Sequence, residues 1–242
     1  MIHRAWLAGL GGLALAGAGA LMLVARGPAP LEMRAAAERP TLALLTSLPL
    51  MFGESFSLAS GGSPALTRIE QRYNVQPIGV ADAASLAGQR ILLMAHPRAQ
   101  PAGALVELDQ WVRGGGRVLL LADPQLSWPS ERPLGDTLRA PPAFADTGLL
   151  GHWGIKLSGP SGARMAEVDG RRVELATPGT LSAKRCELLG DGLIARCRIG
   201  KGMATVIADA DLLNVEPSGG ADEPTAANLD LVLAELARFE RR

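Results

Sequence analysis

The sequence predicts an α/β domain on a doubly wound, mostly parallel sheet, preceded by one membrane-inserting helix and carrying an antiparallel hairpin insertion. Three observations carry that expectation. Four short apolar runs, Thr41 to Thr46 (TLALLT), Ile91 to Ala95 (ILLMA), Val118 to Ala122 (VLLLA) and Met203 to Ala208 (MATVIA), read as strands buried on both faces. Helical segments alternate with strands, which is the pattern of a wound sheet. From Ile155 to Ile199 the pattern changes to short alternating segments with the turn dipeptides Asp169-Gly170 and Asp191-Gly192, which are hairpin signals.

Taking the elements in order, no residue from Ala5 to Ala25 is charged. At roughly 1.5 Å per residue this run is about 31 Å long, the hydrocarbon thickness of a bilayer. Gly9, Gly11, Gly12, Gly17 and Gly19 would weaken a soluble helix but are common in spanning ones. Residues 1–26 therefore read as a transmembrane anchor. A cleaved signal peptide is the alternative, because His3 and Arg4 make a short basic lead and Ala18-Gly19-Ala20 has the small-x-small cleavage pattern. A buried core helix is the remaining reading. Arg26, Arg34 and Arg39 after the span outnumber Arg4 before it, so charge alone does not orient it. The short leading tail leaves the long C-terminal part as the functional body, which predicts a single-pass inner-membrane protein with its domain on the periplasmic side.

Gly27-Pro28-Ala29-Pro30 cannot continue a helix, and residues 27–40 read as a linker to a domain at 41–242. Within the domain, Pro64 to Tyr73 reads as a helix. So does Pro101 to Arg113, with Leu105, Leu108, Trp111 and Val112 at helical spacing and Gly114 to Gly116 as its stop. Thr225 to Phe239 carries Leu229, Val232, Leu233, Leu236 and Phe239 on one stripe. If Asp191 and Gly192 are central turn residues, counting outward sets Cys186 opposite Cys197. A disulfide is then conceivable in an exported domain, although this pair falls on a hydrogen-bonded rung where side chains diverge. Two small buried thiols are the alternative.

The composition narrows the function. The 242 residues carry 24 basic and 24 acidic side chains, so no net field exists to hold nucleic acid. Lys156, Lys184 and Lys201 are the only lysines, and aromatics are 4% of the chain, too few for stacking platforms. Neither Walker motif is present, and the glycine run at Gly114 follows a helix instead of opening one, so it does not cradle phosphate.

In an open parallel sheet ligands approach the carboxyl ends of the strands. The residues just after the predicted strands are Ser47, His96, Asp123 and Asp209. The same edge carries two long connections, Leu48 to Ser63 with Leu50, Met51 and Phe52, and Pro124 to Ala145 with Trp128. Connections of this length are functional or disordered, and the apolar residues on them predict a rim that docks a partner chain or extended ligand. The competing expectation is that they fold back over the sheet edge. A hydrolytic triad of Ser47, His96 and Asp123 is disfavoured, because Ser47 precedes Leu48-Pro49 and not the sharp elbow a nucleophile needs. His96 and Asp123, each before a proline, look like turn residues that satisfy local backbone donors. Asp209, Asp211 and Asn214 offer oxygens suited to calcium or magnesium, but an acidic loop closed by a distal glutamate is missing, and helix capping is the favoured role. No cofactor is expected.

Leu92 to Pro124 (LLMAHPRAQPAGALVELDQWVRGGGRVLLLADP) resembles the periplasmic domain of gliding-motility GldG-like proteins, auxiliary components of ABC-type transport systems. The shared pattern is a strand ending near a proline, a helix with L-D-x-[WY]-V, a glycine run and a strand ending in Asp-Pro. Gly148 to Leu157 (GLLGHWGIKL) and Gly200 to Asn214 (GKGMATVIADADLLN) are similar to two further segments of that family. The resemblance implies a flavodoxin-like or class I glutamine amidotransferase-like fold, an exported location, no catalysis of its own, and an ABC-type permease and ATPase as partners. This chain departs from larger members in having no second span after Asn228. Amidotransferase kinship keeps open a cell-envelope hydrolase using His96 and Asp123, but Cys186 and Cys197 sit in the hairpin region and not at the strand-to-helix elbow that chemistry requires.

Overall fold

The computed structural model describes residues 31–52, 62–215 and 224–241. Ala5 to Ala25, read as a span, lies outside them. Among the described residues no helix is long and apolar enough to cross a membrane.

The described chain runs through β1 (Thr41–Thr46), α1 (Pro64–Glu70), β2 (Asn74–Pro77), β3 (Ile91–Ala95), α2 (Ala102–Gly114), β4 (Arg117–Leu121), α3 (Leu149–His152) and β5 (Ile155–Ser158). It continues through β6 (Arg164–Val168), β7 (Arg171–Leu175), β8 (Thr180–Ala183), β9 (Cys186–Leu189), β10 (Ile194–Ile199), β11 (Gly202–Ile207) and α4 (Pro224–Glu240). The fold is α/β. Its main sheet is mixed and mostly parallel, seven-stranded in the order β2-β1-β3-β4-β11-β10-β9. From β2 to β11 the pairings are parallel; β10 is antiparallel to both neighbours.

The four apolar runs form β1, β3, β4 and β11, the last two each starting one residue early. Alternate side chains face opposite sides of a strand, so both faces of each run must be covered. Leu42, Leu44, Leu93, Leu119 and Ile207 meet α1 and α4 through Ile69, Val232, Leu236 and Phe239. Ala43, Met94, Leu120 and Val206 meet α2 and α3 through Leu108, Val112 and Leu150. Pro64 occupies the first turn of α1 behind Ser63, whose Oγ accepts from Leu66 N at 3.1 Å. The end of α2 is set by Gly115 at φ 125°. Gly202, opening β11, lies where a Cβ would come within 2.1 Å of Val112 O, so only glycine lets the end of α2 rest on that strand.

Two differences from the expected layout concern where the domain starts and what the 155–199 region does. From Leu31 on, the stretch read as linker is fastened to the domain. Leu31 packs on the core, Arg34 N donates to Gln71 O at 3.0 Å, the Arg34 guanidinium pairs with Glu240, and Arg72 donates to Glu32 O. The region 155–199 is only partly an insertion. β5 pairs with β8 and β6 with β7 outside the main sheet, whereas β9 and β10 extend it. β10 thereby covers the edge that β11 would otherwise expose.

Asp169-Gly170 and Asp191-Gly192 each have positive φ at both residues, 48° and 75° in the first and 54° and 82° in the second, as two-residue hairpin turns require. The second turn sets Cys186 opposite Cys197, and their sulfurs are bonded with the Cα atoms 4.4 Å apart. At that spacing the side chains do not diverge.

Candidate functional site

The carboxyl ends of β4 and β11 lie side by side, because β11 is inserted next to β4 and not after β10 in chain order. Asp123 follows β4 by one residue beyond Ala122; Asp209 and Asp211 follow β11. This adjacency brings one oxygen from each of the three carboxylates within 4.8 Å of the others.

Each carboxylate is held differently. Asp123 is fully buried and accepts from two backbone amides, Gln125 N at Oδ1 (2.9 Å) and Ala210 N at Oδ2 (2.9 Å). Asp211 opens a short 3-10 turn through Leu213, and its Oδ2 accepts from Ser127 N at 2.9 Å while its Oδ1 has no hydrogen-bond partner. Asp209 is 1% exposed, and neither of its oxygens has a hydrogen-bond partner, although the backbone N–H groups of Asp211 and Leu212 favour its charged form. None of the three is ion-paired among the described residues.

The electrostatic consequence is a shared charge problem. Burial, then the neighbouring charges of Asp123 and Asp211, push the Asp209 carboxyl up to about 8. Burial is also the main reason Asp211 is pushed up to about 6. Asp123 is raised by burial, against the pull of the backbone N–H groups of Ala210 and Gln125.

His96 begins the connection after β3 with a left-handed backbone, φ 46°. Its ring is fully buried, and Nε2 lies 2.9 Å from Pro141 O, so Nε2 carries the proton and donates it. Burial lowers its pKa, which keeps the ring neutral and leaves Nδ1 an acceptor with no partner. Ser47 donates from Oγ to the backbone O of His96 and not to its ring.

These residues also fasten the long connection after β4 across the strand ends. Phe144 N donates to Asp123 O at 2.7 Å, Leu126 N to Pro142 O at 2.8 Å, and Arg98 Nη2 to Thr137 O at 2.7 Å. The apolar rim residues divide accordingly. Leu50 is fully buried and Trp128 half-buried, both against the core, as folding back over the edge would have it. Phe52 stays 66% exposed, and Leu134 and Leu138 on the covering connection are 73% and 67% exposed. Asn214 is half-buried and closes the 3-10 turn through its backbone N–H to Asp211 O at 2.8 Å.

A second group of buried charge, with no signature in the sequence, lies on the α4 face. Arg196 on β10 donates from Nε to Glu235 Oε2 at 3.0 Å and from Nη2 to Asp169 Oδ2 at 2.6 Å, with Glu187 Oε2 3.6 Å from Nη1. Burial works against the guanidinium charge, but the Glu235 and Asp169 bonds outweigh it and its pKa is raised. This group ties β10, the β6–β7 turn and α4 together and has no ligand to explain.

No protein-family model matches the sequence, and no curated protein is similar to it. Solved structures share its fold. The N-terminal domain of mmIFT52 has a TM-score of 0.53 at 14% identity, over 81% of this chain and 97% of that one. The cytoplasmic protein STM1381 of Salmonella typhimurium LT2 gives 0.51 at 15% identity, over 81% and 99%. The exo-β-1,4-mannosidase Op5Man5 from Opitutaceae bacterium strain TAV5 gives 0.48 at 16% identity, over 82% of this chain but only 36% of that one. For the first two, at these identities, the likeness is one of fold alone.

Proposed function

We propose that this chain is a membrane-tethered, periplasmic binding subunit of an ABC-type transport system, without chemistry of its own. The observation that carries the reading is the closed strand-end edge. His96 and Asp123, the pair from which a hydrolase was conceivable there, are fully buried and engaged with backbone groups. The connection that covers them turns Leu134 and Leu138 outward, a surface suited to a protein partner. The Cys186–Cys197 disulfide fits an oxidising compartment.

The finer fold assignment belongs to the same proposal. The parallel strands follow the order 2-1-3-4-5 when β11 is counted fifth, which is the flavodoxin-like order. On this reading the tether leaves from the amino edge of the sheet, where Arg34 and Thr41 line a cleft with Ile91 and Arg117, and the covered rim faces away from the bilayer. The permease complex is then met at its periplasmic, outward-standing parts.

Affinity purification of the full chain from detergent-solubilised membranes tests the reading. A permease and an ATPase should co-purify, and recovery should fall with Leu134→Asp plus Leu138→Asp while Tm stays unchanged. Extraction of the chain from membranes without detergent, or purification free of both partners, would sink it.

A further inference from the structure

The carboxylates at the ends of β4 and β11 present more unsatisfied oxygens than one shared proton can serve. Asp209 Oδ1, Asp209 Oδ2 and Asp211 Oδ1 are all buried without a hydrogen-bond partner. A proton on one carboxyl, donated to another, joins two oxygens and leaves the third bare, at the cost that buried acceptors carry. A cation partners all of them at once.

The rest of the arrangement is that of a built site. Backbone amides orient two of the three groups: Gln125 N and Ala210 N fix Asp123, and Ser127 N fixes Asp211. Asp209 faces both with its two oxygens uncommitted. Among the described residues no arginine or lysine pairs with the three, in contrast to the carboxylates around Arg196.

The donors are all oxygen, the choice of hard cations and not of zinc or copper. His96, whose Nδ1 could have offered nitrogen, is not among the side chains that meet within 4.8 Å. Calcium binds oxygens at about 2.3–2.6 Å, so two ligands on opposite sides of it stand up to about 5 Å apart. The three oxygens all lie within 4.8 Å of one another, inside that limit. Magnesium, at about 2.0–2.1 Å, sets a tighter limit of about 4.2 Å.

We infer that Asp123, Asp209 and Asp211 form a binding site for a hard divalent cation, with calcium the better fit. The half-buried Asp211 is the entry side, and water completes the coordination there. The inference does not depend on the transport reading. Bound cation would lock the end of β11 and the 3-10 turn to the connection after β4, through Asp211 and its bond from Ser127.

The test uses the full chain in detergent, stripped with a chelator and dialysed, and titrated with calcium chloride and separately with magnesium chloride by calorimetry and thermal unfolding. One saturable calcium site is expected, with Tm raised by about 5–10 °C at a hundredfold excess over Kd. Asp209→Asn should weaken calcium binding by at least about tenfold while its stripped form unfolds no earlier than stripped wild type. Asp211→Asn, at the half-buried position, provides the same reading should Asp209→Asn fail to fold. Asp230→Asn, which removes a carboxylate paired with Arg68 on α4, should bind as wild type. Absence of saturable binding of either ion, or binding equal to wild type in folded Asp209→Asn and Asp211→Asn, overturns the site; a response to magnesium alone overturns the calcium preference.

Discussion

Two clusters of buried acid lie in this domain, and they differ in what answers their charge. On the α4 face, Glu235 and Asp169 converge on Arg196, and the guanidinium fork supplies a donor to each. At the carboxyl edge, Asp123, Asp209 and Asp211 converge on one another, and among the described residues only backbone amides answer them. Each holds an acid that is 1% exposed, Glu235 in the first and Asp209 in the second. The lesson is that depth alone does not mark a functional carboxylate; a missing counter-charge does. The first cluster reads as architecture, and the second as a site.

The largest effect is expected from breaking the compensated cluster. Arg196→Ala leaves Glu235 buried without its cation and should cost about 3–5 kcal/mol in urea unfolding. Replacing both, Arg196→Met with Glu235→Leu, should recover most of that loss, and failure to recover would mean that the pair does more than neutralise itself. Next comes the cross-link beside it. Cys186→Ser with Cys197→Ser opens the β9–β10 loop and should cost about 2–3 kcal/mol, read by the same unfolding curve without reductant.

The uncompensated cluster should respond with the opposite sign. In chelator, Asp209→Asn should stabilise the protein by about 1–2 kcal/mol, because the amide is neutral and its N–H groups can serve the bare oxygens. In saturating calcium the order of the two proteins should reverse. A destabilised Asp209→Asn in chelator would erase the contrast between the clusters.

The smallest effect sharpens the compensated side. Asp169 is desolvated, yet its bonds to Arg196 and the charges of Arg238 and Arg171 hold its pKa below the ordinary 3.8. A lowered acid contributes stability that is present above its unfolded pKa and lost as pH falls through its folded one. Asp169→Asn should therefore flatten the acid limb of the stability curve below about pH 4, and change stability at pH 7 by less than about 1 kcal/mol, since Asp169 is 41% exposed and screened.

What the residues announced and what they hid follow one physical division. β1, β3, β4 and β11 were legible because strands covered on both faces carry unbroken apolar runs. β2 was not: as an edge strand reading Asn-Val-Gln-Pro, it is largely exposed and lacks the signature. The β9–β10 register was legible because Asp191-Gly192 dictates its turn. At the site, Asp209 and Asp211 stood out as oxygen donors, while Asp123 looked like a turn residue. Both descriptions of Asp123 hold, since it caps Gln125 N and faces Asp209. Its membership in the trio depends on β11 lying next to β4, a pairing between residues far apart in the chain that no local pattern encodes. Leu50 and Phe52, two residues apart with equal apolar appearance, have opposite fates, one in the core and one outside.

That same late pairing has a consequence for how the chain is made. Thr205 is the partner of Leu119, and everything from α3 to β10 is synthesised between them. Until β11 arrives, β4 stands as an open edge that is apolar from Val118 to Leu121, the kind that recruits strands from neighbouring chains. A polypeptide ended before Gly202 should therefore aggregate, however complete its first half, and the acids after β11 are among the last pieces to reach their places.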